Sequence, residues 1–146
     1  MHVPGHLRDN IIDLGFIPTQ DKYDAFSAAL FLCQPSTNES FSIVLMESWL
    51  CNRPVLVHAD CNVTKDFVNK SQGGLLFSDY KEFAGCLDYF LSQPERGNEM
   101  GNNGRSFVFE NFNNLFGLFA NHKGVKDTTS HLAMPKVYLG FDACWN

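Results

Sequence analysis

Apolar positions along the chain fall into short blocks separated by polar punctuation. Residues 11–17, Ile-Ile-Asp-Leu-Gly-Phe-Ile, read as a short buried strand that ends where Pro18 and Asp21 break the pattern. Over residues 22–30, Tyr23, Phe26, Ala29 and Leu30 recur at helical spacing. Residues 30–34 are a short apolar run stopped by Pro35, which predicts a strand. A polar loop, Ser-Thr-Asn-Glu-Ser, carries helix-starting residues. Residues 41–51 are then apolar nearly all round, which predicts a helix covered on several sides.

Asn52-Arg53-Pro54 ends that helix, and residues 54–57 predict a second strand. A short helix is expected over 64–70. Gly73-Gly74 marks a turn into a strand at 75–77. Asp79 suits the N-cap of a helix running to Leu91, with Phe83, Leu87, Phe90 and Leu91 on one stripe. Pro94 opens a further helix to about Phe112. Strands alternating with helices predict parallel crossovers, and so an α/β fold with helices on both faces of the sheet. Beyond Asn113 no clean period persists. The expected division is one domain over 1–113 and a divergent tail over 114–146.

Composition narrows the function classes. The 146 residues carry a net charge of −5, and the eleven Lys and Arg are scattered. Nucleic-acid partners are therefore not expected, since phosphate neutralisation needs clustered cations. No apolar run approaches the ~20 residues that span a bilayer, and residues 1–10 lack a signal-peptide core. An integral membrane segment is not expected, and a cytoplasmic location is. Cys33, Cys51, Cys61, Cys86 and Cys144 form no metal-like spacing, so no metal site is expected.

The chemistry concentrates in PSTNESFSIVLMESWLCNRPVLV, residues 35–57. Glu39 sits in the loop where a strand gives way to a helix, and Glu47 lies about two turns into that helix. Such spacing suits a ligand with hydroxyls at two ends and an anion between them. Free amides around Phe41, Ser42, Ile43 and Val44 suit a diphosphate. Glu39 would then accept from sugar hydroxyls and Glu47 from a ribose diol. Plainer readings stand beside these: Glu39 as a solvated acid near a helix start, and Glu47 paired with a structural partner such as Arg53. His58, Asp60 and Cys61 follow a strand and read as surface or core residues.

In this order the segment resembles the signature of retaining glycosyltransferases of family 4. Pro35, Glu39, Phe41, Glu47, Pro54 and Val55 fall in register with it. Gly15-Phe16, Asp21-Lys22-Tyr23, Gly73-Gly74-Leu75 and the helix end at 107–112 resemble flanking motifs of the same family. The resemblance covers roughly residues 10–113.

It implies a Rossmann-like three-layer α/β sheet, as part of the C-terminal domain of a GT-B enzyme. It further implies metal-independent, cofactor-free transfer of a hexose, such as mannose or glucose, from a nucleotide diphosphate sugar. Glu39 would contact the donor sugar. Phe41, Ser42 and Ile43 would line the diphosphate, Glu47 would hold the ribose, and Gly15 and Phe16 would border the base. A glycan or lipid-linked acceptor would bind on a facing N-terminal domain. By that pattern this chain begins after the family's Arg and Lys, which neutralise the diphosphate, so alone it is expected to transfer little sugar. The alternative is a non-catalytic nucleotide or nucleotide-sugar module that works with a separate chain. Ser42 departs from the family, which has Gly there.

Overall fold

Two strands, β1 (Ala29–Gln34) and β2 (Val55–His58), are apolar at almost every position because both of their faces are covered. Leu32, Val55 and Val57 enter one core cluster; Phe31, Cys33 and Leu56 enter another on the opposite face. The alternation follows the two-residue period of a strand. The computed structural model describes residues 11–116 and 136–139.

Around these strands lie α1 (Thr19–Ala28), α2 (Ile43–Leu50), α3 (Asn62–Ser71), β3 (Gly74–Phe77), α4 (Tyr80–Ser92), α5 (Pro94–Phe116) and β4 (Lys136–Leu139). The strands run in the order β3-β2-β1-β4, and every neighbouring pair is parallel. This is the expected α/β fold with helices on both faces.

The first core cluster joins α1, α2, α3 and α5 to the sheet. Its centre is Trp49 of α2, fully buried, with its indole N–H donating to the Gly73 carbonyl at 2.9 Å. Trp49 meets Phe107 of α5 edge to face at 6.0 Å. That approach requires glycine at 104, where a Cβ would lie 2.2 Å from the indole Cδ1. Phe41, Phe67 and Phe112 extend the cluster through mutual edge contacts at 5.6–5.9 Å. On the other face, Phe31 stacks on Phe90 of α4 at 4.9 Å.

Asp79 caps α4 as its sequence position predicts, accepting from the Glu82 amide at 2.9 Å. The Glu82 carboxylate reaches back to the Ser78 amide at 2.7 Å. Asp79→Ala is expected to cost about 1 kcal/mol, read from chemical denaturation midpoints. An unchanged midpoint would mean that the cap contributes nothing.

Several expectations need correction. Residues 11–17 form no strand: Ile11, Ile12, Leu14 and Phe16 are exposed, and Gly15 turns with φ +56° while its amide meets Asp13 Oδ1 at 2.9 Å. Both edges of β1 are already taken, by β2 and β4, so these apolar residues have no slot beside it. The helix expected over 22–30 starts earlier, at Thr19, and yields Ala29 and Leu30 to β1. Leu91 leaves the apolar stripe of α4 and is half-exposed. The weakly patterned stretch after Asn113 contributes β4, which sequence periodicity did not show. Among the described residues no helix is long and apolar enough to cross a membrane.

Candidate functional site

The crossover from β1 to α2 carries both acids. β1 ends at Gln34, which is buried, and its side-chain amide donates to Glu39 Oε1 at 3.0 Å. That bond holds Glu39, half-buried, close to the carboxyl end of the sheet, where ligands of open α/β sheets bind. Among the described residues it is the Glu39 side chain's one hydrogen-bonding neighbour, which leaves acceptor capacity unused.

α2 begins at Ile43 without a side-chain cap and without an acidic residue in its first turn. Its first amides are therefore not satisfied by a cap. Ile43 is exposed on one side of this tip; Ser42 and Val44 are buried on the other. Phe41, just before it, is held by the edges of Phe67 and Phe112. Ser42 adopts the left-handed conformation, φ 57° and ψ 68°, and its buried hydroxyl has no hydrogen-bond partner among the described residues. A residue with a Cβ is strained there.

Glu47 is buried, with two donors converging on one of its oxygens. Lys22 Nζ lies 2.6 Å from Oε1 and Tyr23 Oη lies 3.2 Å from the same atom. Burial, with the Glu47 carboxylate beside it, pushes the Tyr23 phenol far up, so it remains a donor at any working pH. The structural partner of Glu47 is thus Lys22 of α1, not Arg53. Arg53 donates instead to the Ser27 carbonyl, and burial pulls its guanidinium down. A basic residue on a separate helix leaves no spacing signal in the sequence. Only the placement of Lys22 and Tyr23 one turn into a helix preceding β1 hinted at it.

Gly15 and Phe16 precede α1, and the Phe16 ring is fully exposed and packs on nothing described. His58 ends β2, its ring edge-on to Phe77 at 5.2 Å and its Nδ1 accepting from the Asp60 amide at 3.2 Å. Cys33, Cys51, Cys61 and Cys86 are free thiols. Burial raises Cys33 to about 11, which keeps it protonated and unreactive. A hollow of about 560 Å³ between β3 and α4 touches neither acid. It is open and largely apolar, and it does not belong to the β1–α2 site.

A parallel sheet sandwiched by helices, with a helix start and an acid at its carboxyl end, defines a Rossmann-like α/β domain, consistent with the C-terminal domain of a GT-B glycosyltransferase. The chain belongs to the family described as glycosyl transferases group 1, which matches residues 5–107. It is also 33% identical over 113 residues to a D-inositol 3-phosphate glycosyltransferase of Gordonia bronchialis. That alignment covers 70% of this chain and 24% of the relative, so the chain spans about a quarter of that protein's length. No solved structure matches it at a significant level.

Proposed function

We propose that the β1–α2 crossover binds a nucleotide diphosphate sugar and serves retaining, metal-independent hexosyl transfer of the family 4 type. The uncapped start of α2 carries this reading: its amides and dipole favour an anion, and its first turn holds no acidic residue. In this reading the Phe41–Ile43 backbone cradles the diphosphate. Glu39, tethered by Gln34, accepts from hydroxyls of the sugar. Glu47 accepts from the ribose, and Gly15 with Phe16 borders the base. Glu39 positions the sugar by hydrogen bonding; next to an anionic diphosphate a nucleophilic carboxylate is the less economical role. A glycan or lipid-linked acceptor would be held by a facing domain, and the reaction would take place in the cytosol.

The test is calorimetric titration of the purified chain with GDP, UDP and their hexose conjugates, in the presence of a chelator. Binding without metal is expected. Glu47→Gln should weaken nucleotide binding about tenfold, the worth of one charge-assisted hydrogen bond. Glu39→Gln should weaken only the sugar conjugates. Equal affinity of all three proteins, or no binding by any, would remove the proposal.

A second reading makes the β1–α2 crossover the site of a non-catalytic nucleotide or nucleotide-sugar module. On that reading the chain is a binding module that needs another polypeptide for transfer. Turnover by the purified chain alone would refute it.

A further inference from the structure

We infer that Lys22 is a second reader of the donor's ribose, acting beside Glu47 so that the diol meets one acceptor and one donor rather than a bare carboxylate. The inference rests on the nucleotide-binding reading above and sharpens its specificity. Both protein donors fall on Glu47 Oε1, from Lys22 at 2.6 Å and from Tyr23 at 3.2 Å. Oε2 takes no hydrogen bond from the described residues. A free carboxylate accepts from two adjacent hydroxyls, one on each oxygen. With Oε1 saturated, Glu47 presents Oε2 alone, which suits one ribose O–H.

The other ribose oxygen then falls beside the ammonium. Lys22 spends one of its three N–H donors on Glu47 and keeps two. Its side chain is 39% exposed where that of Glu47 is 10% exposed, so the cation is the more accessible half of the pair. A pair serving only as a strut between α1 and α2 gains nothing from such exposure, because solvent screens it. Tyr23 is the positioning residue: it lies partly buried against the Glu47 side of the pair and pins Oε1, which decides which oxygen is left for the ligand.

The experiment compares GDP and UDP with their 2′-deoxy and 3′-deoxy forms on the wild-type chain and on Lys22→Met and Lys22→Arg, by calorimetry. The wild type should prefer each ribonucleotide over both deoxy forms by about tenfold. Lys22→Met should lose the preference at one hydroxyl, its ratio falling to near one, and keep it at the other. Lys22→Arg, which retains the cation, should keep both. If Lys22→Met preserves both ratios, Lys22 is a strut only and the inference is overturned while the nucleotide site stands. If the wild-type chain binds neither GDP nor UDP, the inference falls together with the reading beneath it. Thermal melting checks each variant. Should Lys22→Met fail to fold, Lys22→Gln supplies the same ratio, and failure of both to fold marks the pair as structural and overturns the inference.

Discussion

Trp49→Ala is expected to lower the unfolding free energy by about 3–5 kcal/mol, a large share of the ~5–15 kcal/mol that holds a domain of this size. Two losses combine. The indole is fully buried against α5 and Gly73, and its removal leaves a cavity that Gly104 and Gly73 have no side chains to fill. The Gly73 carbonyl also loses the donor it meets at 2.9 Å. Trp49→Phe separates the two, since it keeps most of the apolar area and forfeits the hydrogen bond, for about 1–3 kcal/mol. Urea unfolding followed by far-ultraviolet circular dichroism gives both values. A loss below 1 kcal/mol for Trp49→Ala would show that the core does not close around this side chain.

The second large effect has the opposite sign. Ser42→Gly should stabilise the fold by about 1–2 kcal/mol. Ser42 is held at φ 57°, where a Cβ is penalised and glycine is not. Its hydroxyl is buried without a partner among the described residues, a cost of about 1–3 kcal/mol that deletion relieves. The greater freedom of glycine in the unfolded chain returns part of the gain. Denaturation midpoints test this, and a destabilised Ser42→Gly would mean that the hydroxyl is satisfied after all. The family-4 signature that this segment resembles usually has Gly here, so the substitution would bring the helix tip closer to it.

Most of the sheet and its helices could be read in the sequence because their signals are local. Asp79 announces a helix by its own side chain, and the run from Leu30 to Gln34 announces a strand by its length and by the Pro35 that stops it. Residues 11–17 show the limit of that logic. They are as apolar as a strand, yet strand formation depends on an available neighbour, and β1 has none to offer. The converse holds for β4, whose four residues have too little pattern to stand out but pair with β1 from far along the chain. At the site, the spacing of Glu39 and Glu47 was visible, and so was the departure at Ser42. The convergence of Lys22 and Tyr23 on one Glu47 oxygen was not, because it depends on how α1 docks against α2. No period or motif encodes that angle.

The pairing of β1 with β4 also bears on the order in which the molecule is made. A ribosome extrudes β1, β2 and β3 in sequence, so each new strand finds its predecessor already waiting. The other flank of β1 waits for about a hundred further residues to be translated before Lys136–Leu139 arrives. Throughout that interval this flank of β1 has no partner strand among the described residues, and its amides and carbonyls form a template for a neighbouring chain. The exposure ends when β4 pairs with β1.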